Sequence, residues 1–160
     1  MVKIIQAERA GKNGRLAVGC SAAVFDKNKE HILLIRRGDN GKWAVPGGYM
    51  DAGEDFSEAC AREVYEETGL RVEVKRLIGV YTNPHLLLEY PDGNRWQLVV
   101  LHFETGIIEG ELTPSEESPE LQFYALTEIE TLEMRMLDRA RVTDSFASQE
   151  TAIIRNEFGL

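Results

Sequence analysis

At 160 residues the chain is long enough to bury one hydrophobic core without metal or disulfide staples, and a single domain over 1–160 is expected. A formal net charge of −9 argues against a nucleic-acid polyanion as the main partner, because such binding depends on Lys and Arg neutralising phosphates. No apolar run approaches a membrane span and no signal-peptide core opens the sequence, so the expected compartment is the cytoplasm. Residues 2–10 fit a strand or a short helix, and Gly11-Lys12-Asn13-Gly14 reads as a turn. Residues 16–25, rich in Ala, Val and other small side chains, suit a strand buried on both faces. After the polar turn Asp26-Lys27-Asn28-Lys29, residues 31–37 form a second strand, and the two together read as a hairpin. That strand ends on Arg36 and Arg37, which either solvate its end or offer bidentate donors to a substrate phosphate. Residues 43–45 make a short strand, and Pro46 opens a loop.

The next stretch carries the chemistry. Asp55 and Glu58 form a capping-box pair, so a helix is predicted from near Phe56. Gly69 supplies the left-handed residue just past its end. Glu63, Glu66 and Glu67 then fall at i, i+3 and i+4, within roughly 100° of one helical face. Carboxylates so close raise one another's pKa unless a cation sits among them. Magnesium or manganese, hard cations that prefer oxygen, meet that need. A solvated acidic helix face is the plainer reading; three neighbours weigh against it. Arg62 is set to neutralise or orient a carboxylate, with Glu54 one candidate, Pro46-Gly47-Gly48 allows close backbone approach to a ligand, and Gly69 fixes where the glutamates point.

Beyond the helix, residues 72–81 have the β-branched content of a strand, with Gly79 a bulge candidate. Residues 86–90 read as another strand, Pro91-Asp92-Gly93-Asn94 as a turn, and 96–103 as a central strand. Residues 108–113 read as a loop with a short strand, 114–120 as an acidic loop, and 121–126 as a strand. Thr127 is expected to cap a short turn. Ile129, Leu132, Met136 and Ala140 lie at helical spacing and predict a C-terminal amphipathic helix. Met134 and Met136 read as core or interface packing, and Ile153, Ile154 and Phe158 suggest a last short helix. Cys20 and Cys60 read as reduced core thiols, and His31 and His102 as structural. Trp43, Tyr81, His85 and Trp96 could stack on a base, although aromatic residues in such strands more often fill a core.

Residues 48–70, GYMDAGEDFSEACAREVYEETGL, fit G-x5-E-x7-R-E-U-x-E-E-x-G-U with U aliphatic. Gly48, Glu54, Arg62, Glu63, Val64, Glu66, Glu67, Gly69 and Leu70 fill every fixed place. The segment resembles the signature box of the Nudix hydrolases, and the lead-in from Trp43 to Gly48 resembles theirs as well. The resemblance implies an α/β/α sandwich with a mixed central sheet. It implies hydrolysis of the pyrophosphate linkage of a nucleoside diphosphate joined to another moiety, with Mg2+ or Mn2+ as cofactor. Carried across, Glu63, Glu66 and Glu67 are the metal carboxylates and the Gly47 carbonyl an extra ligand. One of these carboxylates, or a glutamate from a distant loop, is the base toward water, with Glu63 or Glu66 favoured, and Arg62 with Glu54 is a positioning pair. A further ligand is expected from Glu116, Glu117 or Glu120, with Glu117 the choice. Arg36, Arg37, Gly48, Tyr81 and His85 are the expected substrate contacts. Pro84 resembles a proline found in members that cleave ADP-ribose, which favours a nucleoside diphosphate sugar. Nucleoside triphosphates, oxidised ones included, stay open. So does a non-catalytic nucleotide-binding module, although a pure sensor has no need of all three glutamates, and so does a protein-interaction role. The expected partner is a small nucleotide-type substrate rather than nucleic acid or membrane, and a homodimer is in keeping with the family.

Overall fold

The computed structural model describes residues 2–157. In chain order it contains β1 (Lys3–Gln6), a 3-10 turn (Ala10–Asn13), β2 (Arg15–Val24), β3 (His31–Arg36), β4 (Trp43–Ala44) and β5 (Gly47–Tyr49). Helix α1 (Phe56–Thr68) follows, then β6 (Leu70–Thr82), β7 (Leu86–Glu89), β8 (Arg95–Gly110) and β9 (Glu120–Ala125). A 3-10 segment (Leu126–Thr131), α2 (Met136–Phe146) and β10 (Ile153–Arg155) complete the order. Among the described residues no helix is long and apolar enough to cross a membrane.

The spine is β8. It runs parallel to β2 on one side and antiparallel to β6 and β7 on the other, so the sheet is mixed. β1, β5 and β10 extend the sheet through β7, β2 and β6, and β3 with β4 and β9 makes a smaller sheet. Alternation along β2 explains why helices cover both faces. Cys20, Ala22 and Val24 pack with Ala59, Cys60 and Val64 of α1, whereas Ala23 packs with Val142 of α2. Small side chains in β2 let both helices approach the sheet, giving the α/β/α layering.

Several expectations change. β2 and β3 are not a hairpin: they belong to different sheets and share only the bridge Phe25–Ile32. The turn itself explains the parting. The Asp26 carboxylate accepts from the Glu30 and His31 amides and contacts the His31 ring, while Lys29 takes a left-handed φ of 56°. Residues 108–110 belong to β8 and pair with the start of β6, a partner far away in sequence. β6 does shift register around Gly79.

The C-terminal helix is shorter than its apolar spacing suggests. The Trp43 amide donates to the Glu133 carbonyl at 2.9 Å and Met134 bridges Trp43, which pulls this segment out of helical conformation. Ile129 and Leu132 therefore precede α2. Met134 does join the core cluster, but Met136 is 65% exposed and lies outside the core. The cap position of the 3-10 segment is Ala125 rather than Thr127, and the Glu128 carboxylate takes the Ala125 amide. Ile153 and Ile154 form a strand parallel to β6, as β-branched residues at a free sheet edge favour. Phe158 lies outside the described residues. Cys20 and Cys60 are buried and free, and burial pushes their thiols up to about 11 and about 12.

Candidate active site

Helix α1 is fixed at both ends. The Asp55 carboxylate accepts from the Glu58 amide and the Glu58 carboxylate from the Asp55 amide, both at 2.9 Å. At the other end Gly69, at φ 77°, donates to the Tyr65 carbonyl. With one face locked into the core by Ala59, Cys60 and Val64, Arg62, Glu63, Glu66 and Glu67 are presented elsewhere on the helix.

Arg62 is the hub. Its Nε and Nη2 grip Glu54 at 2.5 and 3.0 Å, Nη1 reaches Glu63 at 2.8 Å and Glu66 at 3.3 Å, and Nη2 also donates to the Tyr49 carbonyl at 3.0 Å. Asp51 stands 3.7 Å away. One guanidinium thus faces four carboxylates. Its hydrogen bonds hold the Glu54 carboxyl down at about 2, while burial raises Glu63. Gly48 lies so close to Glu63 that any Cβ would collide with the carboxyl group.

Glu67 is treated differently. It accepts from the Gly47 amide at 2.8 Å and, among the described residues, forms no ion pair. Burial pushes its carboxyl up to about 7, helped by the negative charges of Glu63 and Glu117 and opposed by the Gly47 amide and the charge of Arg37. Among the described residues no group of three acidic, imidazole or thiol side chains is already arranged as a cage for a metal ion. The donor chemistry nevertheless fits a hard cation. Oxygen donors predominate, one is half-buried with no ion-paired cation among the described residues, and the Gly47–Gly48 backbone carries no side chain into the space beside them.

The remaining expected contacts divide. Arg37 makes a bidentate pair with Asp39 at 2.9 Å, and its charge reaches Glu67. Arg36 instead holds Glu120 at 2.6 Å across the β3–β9 register and donates to the Gly41 carbonyl, so both Arg36 and Glu120 serve the smaller sheet. Of the acidic loop, Glu117 has the carboxylate that acts on Glu67, and its carbonyl accepts from Gly38. Tyr81 is a correction. Its side chain is fully buried and donates to Asp144 at 2.8 Å, because the parity of β6 turns it into the core. His85 likewise faces away: its Nδ1 accepts the Arg9 amide at 3.0 Å and pins the N-terminal turn.

A cavity of about 610 Å³ adjoins this site, lined by Leu16, Val18, Tyr49, Asp51, Tyr90 and Trp96 among others. The Tyr49 and Tyr90 hydroxyls meet at 2.9 Å. Sequence reasoning weighed Trp96 between base stacking and core packing and passed over Tyr49 and Tyr90. The signal for Tyr49 was its place directly after Gly47-Gly48; nothing local marked Tyr90.

Known proteins resemble this chain in both sequence and fold. The family model described as NUDIX domain matches residues 15–146. An ADP-ribose pyrophosphatase of Methanocaldococcus jannaschii is 37% identical over 119 residues, covering 72% of this chain and 66% of that protein. A putative 8-oxo-dGTP diphosphatase of Bacillus subtilis is 46% identical over 66 residues, covering 41% of this chain and 44% of that protein. The chain therefore spans less than two thirds of the length of either relative. In fold it is similar to a NUDIX hydrolase crystal structure from Nitrosomonas europaea, with a TM-score of 0.70 and 22% identity, covering 89% of this chain and 79% of the other.

Proposed function

Since the chain belongs to the NUDIX domain family, we propose that it is a Mg2+- or Mn2+-dependent pyrophosphohydrolase acting on a nucleoside diphosphate linked to another moiety, a nucleoside diphosphate sugar such as ADP-ribose foremost. The observation that carries this reading is Glu67, a carboxylate drawn partly out of water with no ion-paired cation among the described residues, beside Glu63 and the side-chain-free Gly47–Gly48 backbone. Glu63, Glu66 and Glu67 would hold the metal, with the Gly47 carbonyl and Glu117 as further oxygen donors. A divalent ion bound there would lower the pKa of the attacking water and offset charge on the phosphate oxygens.

Glu63 or Glu66 takes the proton from that water as its oxygen bonds to phosphorus, and the bridging P–O bond breaks to release a phosphate-bearing leaving group. Arg62, itself anchored on Glu54, keeps those two carboxylates in place. Arg37 supplies positive charge on the substrate side. The likeness to the ADP-ribose pyrophosphatase supports the sugar-linked class, whereas the likeness to the 8-oxo-dGTP diphosphatase favours a nucleoside triphosphate as the second reading. A reducing compartment such as the cytoplasm suits two buried free thiols.

The test is a hydrolysis screen over nucleoside diphosphate sugars, dinucleotides and nucleoside triphosphates with Mg2+ or Mn2+. Mononucleotide release from a diphosphate sugar, abolished by EDTA, is expected. Absence of turnover on every pyrophosphate substrate with both metals would sink the enzymatic reading.

A further inference from the structure

Three successive residues ahead of the glutamates are tied to three different elements. The Val45 amide donates to Asp138 Oδ1 of α2 at 3.2 Å, and the Pro46 carbonyl accepts the Ala22 amide of β2 at 2.9 Å. The Gly47 amide donates to Glu67 of α1 at 2.8 Å. Pro46, between the outer two, has its φ fixed by the ring, so the turn can absorb little movement at either end. β2 closes one side, since a Cβ at Gly47 would overlap the Cys20 carbonyl oxygen. Asp138 lies in the first turn of α2 and is buried with Arg141, whose Nη2 donates to the same Oδ1 at 2.6 Å. The ion pair does not by itself explain a buried Asp138. Two charges held out of water are often no more stabilising than apolar side chains of similar volume. Arg141 Nε is moreover buried and, among the described residues, has no hydrogen-bond partner. The group there that requires an acceptor is the amide of Val45, a residue only 4% exposed.

We propose that Asp138 is a positioning residue for the metal site: by holding Val45 it fixes the Val45–Pro46–Gly47 turn to α2 and keeps the Gly47 backbone on Glu67. The assignment rests on the reading above that Glu67 and the Gly47 carbonyl are metal donors. Val45 packs in one core cluster with Val142 of α2, whereas α1 covers the opposite face of the sheet with Ala59, Cys60 and Val64. The turn therefore carries a constraint from the α2 layer to the α1 layer within three residues. Without the Val45 tether, Gly47 is free to leave Glu67 on the side that β2 does not close, and Glu67 loses its backbone amide. Hard cations such as Mg2+ demand near-ideal donor geometry. Removing a group that orients a metal ligand typically weakens binding by roughly 10–100-fold. The Asp138 charge also reaches Arg37, which feels Glu67 as well.

Two double variants isolate the hydrogen bond. Asp138→Asn with Arg141→Met keeps an acceptor for Val45. Asp138→Leu with Arg141→Met has nearly the same shape without one. Neither strands a buried charge, and both lack the charge that reaches Arg37. Exchange of the Gly47 amide is read by NMR in EDTA, so that no metal enters. It is expected to match the parent in the first pair and to be about tenfold faster or more in the second. Mn2+ binding is read from loss of the free-ion electron paramagnetic resonance signal. The first pair is expected to bind as the parent does, and the second about tenfold more weakly or worse. Arg141→Met alone is expected to move neither quantity. If the second pair fails to fold, Asp138→Ala with Arg141→Met replaces it, because the smaller side chain leaves room for a water to satisfy the Val45 amide without tethering it. Equal Gly47 exchange in the two pairs, or equal Mn2+ affinity where the parent binds Mn2+, overturns the assignment even if the enzyme is active. Asp138-dependent protection of Gly47 in a parent that binds no Mn2+ would instead leave the tether standing and remove the proposed metal site.

Discussion

Glu67 and Glu104 both hold a carboxylate largely out of bulk water, and the fold treats them in opposite ways. Glu104, on β8, is gripped by Lys29 at 2.5 Å and Arg76 at 2.6 Å. Burial raises its pKa, but those two hydrogen-bonded cations outweigh burial and leave it below the usual range. Glu67 has one backbone amide and, among the described residues, no ion-paired cation, only the more distant charge of Arg37, and burial pushes it up to about 7. A saturated carboxylate ties strands together; an unsaturated one keeps its affinity for a positive partner in reserve. Perturbed groups beside an open backbone mark functional sites for this reason.

Glutamine exchange separates the two most sharply. Glu67→Gln preserves shape and removes the uncompensated charge, so kcat is expected to fall about 10²-fold or more, with the melting temperature equal to or above that of the parent. Initial rates and thermal melts on one preparation give both numbers. Turnover near the parent level would erase the distinction. Mg2+ sharpens it further: at about 100 times its Kd it should stabilise the parent by about 2.7 kcal/mol. The same addition, followed by thermal melts, should do nothing for Glu67→Gln, and EDTA should reverse the gain.

Glu104→Gln should behave the other way round. Lys29 is exposed and can rehydrate, but Arg76 is partly buried, so losing their shared acceptor is expected to cost about 2 kcal/mol in urea unfolding. Its kcat should not change, and its response to Mg2+ should match the parent.

How much of this contrast was legible in the sequence follows from how local each part is. The α1 site could be read because its cap at Asp55, its stop at Gly69 and the phase of Glu63, Glu66 and Glu67 all lie within one short helix. The grip of Arg62 on Glu54 spans only eight positions. Glu104 gave no such sign, because its partners come from a turn before β3 and from β6. Tyr81 was misplaced for a similar reason: the parity of a strand with three register shifts is not set by its own residues. Arg36 and Arg37 are adjacent, and only the β3–β9 pairing decides that Arg36 faces Glu120 while Arg37 acts on Glu67. The β2–β3 hairpin failed because parallel pairing with β8, some eighty positions away, took β2.

His102 offers a milder test of the same idea, since it is buried yet fully satisfied. Its two ring nitrogens meet Ser21 and Ser145 Oγ, each at 2.8 Å. Burial, aided by the charge of Arg141, holds its pKa well below 6.5. Below about pH 6.5 the unfolded chain therefore binds a proton that the folded chain refuses. Stability should be level above that pH and fall as pH drops toward the lower folded value, by at most about 1.4 kcal/mol per pH unit from this residue. Urea midpoints measured across that window should show the slope, and His102→Gln should flatten it.

The smallest effect concerns the helix that carries the glutamates. Asp55→Ala removes the cap and should cost about 1 kcal/mol. It should leave kcat nearly intact, because Ala59, Cys60 and Val64, all fully buried, continue to fix the phase of α1. A midpoint shift paired with unaltered turnover would locate the difference between Glu67 and Glu104 in their immediate partners. If Asp55→Ala instead lowered kcat as far as Glu67→Gln does, the phase of the helix would be marginal, and the capping box rather than the missing cation would be what makes Glu67 unlike Glu104.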